Sequence, residues 1–143
     1  VTMASGGFGL WVRDSFNRTR SFDLDADTLR NILVTNTYTP NFTTHDEYAD
    51  VTNEVTGTGY TATGVVLASV TSAVATGVYT LDAADSSWTT ASFTARGRVV
   101  YDDTITGDGL VLATTFGADY TVTVGTFTQT ENASGLLAID YDL

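Results

Sequence analysis

The sequence predicts an all-β fold: a single β-sandwich or jelly-roll-like barrel of about eight strands, preceded by a flexible, Gly-rich N-terminal arm. Three observations predict it. Threonine is abundant and β-branched residues recur between glycines, a composition suited to pleated, half-buried surfaces. Several stretches alternate apolar and polar residues with a period of two. Turn signals rich in Asp and Gly separate these stretches at short intervals, the spacing of a sandwich or small barrel. At 143 residues the chain is sized for one domain that buries about 68–70% of its unfolded surface.

Taken in order, residues 1–9 carry Gly6, Gly7 and Gly9 and read as a flexible arm. Phe8, Leu10 and Trp11 form an apolar patch too large to leave in water, so they are expected to anchor an interface with a neighbouring subunit. "LWVRDSF" follows as a strand. In "DADTLRNILVT" the spacing of Leu29, Ile32 and Leu33 suits a helix capped by Asp27, but the β-branched continuation "VTNTYTP" favours a strand ended by Pro40. Residues 41–57 are polar and acidic, a long loop with at most one helical turn around "HDEYAD". "GTGYTATG" reads as a hairpin or bulge. In "ASFTARGRVVY", Phe93, Ala95, Val99 and Tyr101 share one face of a strand and Thr94, Arg96 and Arg98 the other; "DDTITGDG" is the turn that ends it. "LVLATTF" and "YTVTVGTFTQT" are strands, and Gly125, where Phe127 falls out of phase, marks a bulge or bend. The closing "LLAIDYDL" aligns Leu137, Ile139, Tyr141 and Leu143 on one face, so this end is expected to dock in the sheet.

Charge and composition exclude several functions. The net charge is −11, every cation but the single histidine is arginine, and lysine is absent. A phosphate backbone or an anionic membrane surface needs a basic footprint, so neither nucleic acid nor membrane is an expected partner. An Asp-rich, lysine-free surface fits proteins of salt-loving hosts; a high-GC genome gives the same bias. There is no cysteine, which excludes disulfides and thiolate metal sites. No apolar run approaches the roughly 18–20 residues that span a bilayer. "VTMASGGFGLWV" has neither the basic lead nor the apolar core of a secretion signal.

Candidate chemistry fails on spacing. A P-loop requires lysine, and Gly57, Gly59 and Gly64 do not match the dinucleotide fingerprint. Asp23, Asp25 and Asp27 open like an EF-hand loop, but Thr28 and Val34 stand where Gly and Glu are required. Those carboxylates read as a solvated face or edge that blocks sheet aggregation, the alternative being one strand face that binds a cation weakly. His45 lies among Asp46, Glu47, Asp50 and Glu54, yet one histidine builds no multi-histidine zinc site and no nucleophile elbow accompanies it. Two of the seventeen acids meeting in space is the remaining route to glycoside hydrolysis. Trp88 reads as core, its alternative being a sugar platform. Arg96 and Arg98 leave one strand together beside Asp102 and Asp103; they pair with Asp or anchor an acidic neighbour. No catalytic residue, metal ligand or cofactor is expected.

"FDLDADTLRNILVTNTYTPN", "HDEYADVTNEVTGTGYTATGVVL", "SWTTASFTARGRVVYDDT" and "LVLATTFGADYTVTVGTFTQT", in that order, resemble a family of small structural proteins of tailed viruses of bacteria and archaea. The resemblance runs from about residue 16 to residue 141, and its most specific parts are "VTNEVTGTGYTATG" and "TARGRVVYDDT". The chain departs from the family in its Gly-rich arm, its lack of lysine, and the residues ahead of the valines in "TARGRVVY". The resemblance implies a β-sandwich virion component without enzymatic residues and transfers no binding residue. Among virion parts the expectation is a capsid decoration (cement) protein on the shell exterior. It would be a symmetric homo-oligomer, a trimer first, partnered by the major capsid protein. The alternative is a tail or host-recognition module that binds cell-surface glycans.

Overall fold

The β-branched runs do become strands. The computed structural model describes residues 3–142 and contains, among them, eight strands and one short helix. In chain order these are β1 (Gly6–Gly7), α1 (Gly9–Asn17), β2 (Leu29–Val34), β3 (Val65–Val66), β4 (Thr71–Ala75), β5 (Val78–Asp82), β6 (Ser86–Asp102), β7 (Gly109–Gln129) and β8 (Leu137–Asp140). They form two antiparallel sheets, one ordered β1-β7-β6-β2-β3 and the other β4-β5-β8. The all-β expectation therefore holds at the level of class.

β2 shows why "ILV" is a strand. Leu29, Ile32, Leu33 and Val34 are fully buried, so both faces of the strand are covered, and a continuous apolar run is the pattern such a strand requires. It pairs with β6 from Leu29 opposite Asp102 to Val34 opposite Gly97. β6 and β7 make one long hairpin of 17 and 21 residues joined by the predicted Asp/Gly turn. "LVLATTF" and "YTVTVGTFTQT" are thus one strand. Its irregularities sit where the pattern breaks. Pairing shifts around Ala91 opposite Gly125, next to Thr90 and Val124 at positive φ, which is the bend expected at Gly125. A larger slip separates Ala95 opposite Tyr120 from Gly97 opposite Thr115, leaving residues 116–119 as a bulge facing Arg96. β4 and β5 join through Thr76–Gly77, both at positive φ, the geometry of a two-residue hairpin that matches strand twist.

The N-terminal segment departs from expectation. Over its described residues it is not a flexible arm: β1 pairs with β7, Met3 packs beside Gly97, and the Phe8 amide donates to the Val111 carbonyl. Gly6 is there for close approach, since a Cβ at that position would stand 2.9 Å from the Phe42 ring. Residues 1 and 2 of the expected arm lie outside the described residues. "LWVRDSF" forms α1 and not a strand. Trp11 and Asp14 face inward at helical spacing, Ser15 Oγ donates to the Trp11 carbonyl, and Arg18 closes the helix in the left-handed region.

"GTGYTATG" is also corrected. It is neither a hairpin nor a simple bulge but a strap of turns laid across the outer part of β6, tied by a bridge between Thr58 and Ser92. Gly59 has φ +78, and a Cβ there would meet the Thr89 and Thr90 carbonyls at 2.8 Å. Residues 41–57 form the expected loop with a single 3-10 turn at Tyr48–Asp50.

Two apolar clusters result. The larger joins Phe8, Trp11 and Leu24 to β2, the inner parts of β6 and β7, and Leu81 of the small sheet. The smaller gathers Leu33, Val55, Trp88, Ala91, Phe93 and Ala95, with Tyr60, Phe116 and Phe127 packed against it. Trp88 is core, as expected. β8 docks on β5, although its apolar face is only half covered: Leu137 packs on the core, while Ile139 and Tyr141 are exposed. Leu143 lies outside the described residues.

Candidate functional site

The sequence-predicted interface residues do not form a surface. Phe8 is fully buried, tilted against Phe42 with ring centroids 5.1 Å apart. Trp11 packs on Phe22, and Leu10 is half-buried. Glycine near an aromatic suggested an extended arm; the aromatics instead fill the chain's own core. Arg96 reaches Asp119 at 3.2 Å, bridging the base of the bulge. Arg98 does not point to solvent with it. Its residue is 4% exposed, and its guanidinium holds Glu131 through both terminal nitrogens, at 2.5 and 2.7 Å.

The burial of Arg98 follows from the bulge. Beyond residues 116–119 the hairpin turns so that its outer end meets β2 and the inner part of β6. Asn31 Nδ2 donates to Ser86 Oγ and Gln129 Oε1, both at 3.0 Å, and Arg98 donates to the same Gln129 oxygen at 2.8 Å. A polar network thus crosses the interior from Asn31 to Glu131. The bidentate ion pair neutralises two charges that burial alone would penalise heavily.

The same geometry opens a pocket of about 480 Å³ between the bulge of β7 and the loop that leads to β8. Its aromatic side is Phe116, Tyr120 and Phe127; Phe116 meets Tyr120 edge-on at 6.2 Å and Phe127 at 6.1 Å. Its polar side is Arg98, Glu131 and Asn132. Tyr120 is 54% exposed at the mouth. Sequence reasoning missed this site. Glu131 and Arg98 are thirty-three residues apart, and the slip at residues 116–119 that brings them together appears only in the folded hairpin.

The acidic candidates are consumed by structure. Glu54 accepts from Tyr48 and Tyr60 hydroxyls at 2.5 and 2.6 Å and from the Thr63 amide at 2.9 Å. Burial, with the Glu54 contact next, pushes the Tyr48 hydroxyl up to about 12 and the Tyr60 hydroxyl higher still. The Asp46 and Glu47 amides donate to Asp50 and hold its carboxyl below the usual range. His45 Nδ1 accepts from the Asn41 amide at 3.3 Å and lies 3.0 Å from the Tyr38 hydroxyl, between the rings of Phe8 and Tyr38. Asp14 is buried under Arg13 and Arg20; burial works to raise its carboxyl, and their hydrogen bonds outweigh it and leave it lowered. Of Asp23, Asp25 and Asp27, Asp25 accepts from Ser72 and Asp27 from the Asp23 amide. Among the described residues no group of three or more His, Asp or Glu is arranged to hold a metal ion.

A cluster of exposed apolar side chains lies on the small sheet. In the small sheet Val74 pairs with Tyr79 and Tyr79 with Ile139, so these three form a row on one face, and Tyr141 lies two residues further along. Leu81 and Leu137 on that face reach the core, whereas Val74 is 65% and Tyr141 55% exposed. Tyr79 packs against the core, while Val74, Ile139 and Tyr141 stand beyond it.

No family model, curated protein or solved structure matches the chain.

Proposed function

We propose that this chain is a non-enzymatic structural protein of a tailed virus, a decoration subunit that stabilises the outer face of the capsid. A sandwich-like body is part of this reading, supported by two antiparallel sheets that both contribute to the larger cluster, and the apolar overhang of Val74, Ile139 and Tyr141 carries it. Such a row at a sheet's end is a contact surface for another copy of the chain or for the shell, and burying it supplies association energy without chemistry. The acidic exterior suits a subunit that faces solvent and not packaged DNA. The resemblance to virion proteins points the same way. Contacts are assigned to this overhang in place of the N-terminal aromatics, which are spent inside the fold.

Image reconstruction of virions that carry the protein tests the reading. Density over the capsid lattice, lost in a Val74→Asp/Tyr141→Asp variant that still folds, is the expected result. Density at the tail, or capsid occupancy unchanged by the double variant, would overturn it.

A further inference from the structure

We infer that the pocket between the β7 bulge and the 130–136 loop is a binding site for a neutral pyranose unit of a saccharide. This site is separate from the small-sheet overhang, so either assignment can fail without the other.

Size comes first. At about 480 Å³ the pocket lies in the range of roughly 300–1,000 Å³ typical of small-molecule sites. Polarity then selects the class. Phe116, Tyr120 and Phe127 supply an apolar side, and Arg98, Glu131 and Asn132 a hydrogen-bonding one. A purely apolar ligand would strip water from the polar side and give nothing back. A pyranose is amphipathic in the matching sense, with C–H groups on its faces and hydroxyls around its rim.

Charge narrows the choice further. Arg98 and Glu131 cancel within the pocket wall, and both are at least nine-tenths buried. An anion would meet a guanidinium already committed to Glu131, inside a chain of net charge −11. A cation would find its carboxylate already compensated. A neutral ligand avoids both penalties. The ion pair still has capacity for one: a carboxylate offers about four lone-pair directions, of which Arg98 takes two, so Glu131 can accept from two hydroxyls. Asn132 Oδ1 already accepts from the Ser134 amide, which fixes the side chain and leaves its NH₂ to donate. The site is held in shape before any ligand arrives, because the guanidinium donates to Gln129 Oε1, which Asn31 holds in turn while also donating to Ser86.

The test is NMR titration of the intact chain, ¹⁵N-labelled, with cellobiose, maltose, lactose and N,N′-diacetylchitobiose, and in parallel with the acidic sugar 3′-sialyllactose, adenosine and tryptophan. At least one neutral sugar should shift the amides of residues 116–120 and 130–136 selectively, more strongly than 3′-sialyllactose. Tyr120→Ala removes an exposed ring and is expected to leave the fold intact, as melting will verify; it should weaken that sugar about tenfold or more. Asn132→Ala should weaken it by a smaller factor. Val74→Asp, on the overhang, should leave sugar binding unchanged. The assignment is overturned if no neutral sugar shifts these amides at tens of millimolar, if Tyr120→Ala binds as the parent does, or if adenosine, tryptophan or 3′-sialyllactose binds there in preference.

Discussion

The β6–β7 hairpin is one element in two physical situations. Its inner half, residues 97–102 and 109–115, is flanked by β2 on one edge and β1 on the other, and residues 97–102 and 109–113 are all buried. Its outer half, residues 86–95 and 120–129, extends beyond the end of β2, whose last residue pairs with Gly97. There the strand alternates: Trp88, Ala91, Phe93 and Ala95 are buried while Ser87, Thr89, Thr94, Thr121 and Thr123 face water. The residue types are much the same in both halves. Whether a β-branched run is scaffold or surface is decided by how many strands flank it and what covers its faces. The inner half holds the fold together, and the outer half is left free to shape a site.

The largest effects should come at the joint. Arg98→Met leaves Glu131 buried without its partner and should cost about 3–5 kcal/mol in chemical denaturation. Arg98→Met combined with Glu131→Leu should recover most of that loss, since no charge is then stranded. Should the double variant remain as unstable as the single, the network is not what fastens the outer half to the sheet.

Within the inner half, Leu110→Ala should cost about 2–5 kcal/mol, as expected for a fully packed leucine. Val124→Ala in the outer half removes a side chain that is already in water and should change stability by less than about 0.5 kcal/mol. Equal losses at the two positions would erase the contrast.

A pH-dependent effect of intermediate size belongs to Asp102, where the inner half meets the turn. The residue is fully buried, Oδ1 accepts from the Thr104 amide at 2.9 Å, and Oδ2 has no partner among the described residues. Burial, and after it the neighbouring Asp27 carboxyl, pushes Asp102 up to about 7, against the lowering effect of the Thr104 and Ile105 amides. A raised carboxyl stabilises the fold while protonated. Its contribution is fully present below the unfolded value near 4 and is lost as pH rises through about 7. Asp14 and Asp50, both lowered, act with the opposite sign, so the readout is a difference between proteins. Asp102→Asn should match the parent near pH 4 and exceed its stability near pH 8 by an amount on the order of 2–4 kcal/mol. A difference that stays constant with pH would contradict this assignment.

Much of this architecture is legible in the sequence, and the gaps have physical causes. β2 follows from its continuous apolar run, and the Asp/Gly turn, the bend at Gly125 and the C-terminal strand from alternation and punctuation, because each pattern acts locally. α1 departs from the strand expected for "LWVRDSF" because the contacts that make it a helix, Trp11 on Phe22 and Asp14 on Arg20, are tertiary. Glycines near the N-terminus looked like freedom, yet Gly6 is required by the closeness of Phe42, which no local pattern encodes. The β4–β5 hairpin turns on Thr76–Gly77, a weaker turn signal than Asn-Gly. Arg98 followed the alternation onto an outer face, but that face is covered by the hairpin's own outer half. The pocket was beyond reach for the same reason: its walls meet only after a bulge redirects the strand.

Native-state hydrogen exchange along β6 and β7 tests the division of labour most directly. The account predicts that hydrogen-bonded amides in residues 97–101 and 110–113 exchange only through global unfolding. Those in residues 87–94 and 121–128 should open through a smaller, sub-global event and exchange at least about tenfold faster. Uniform protection from one end of the hairpin to the other would contradict it, because the two halves would then be a single cooperative unit.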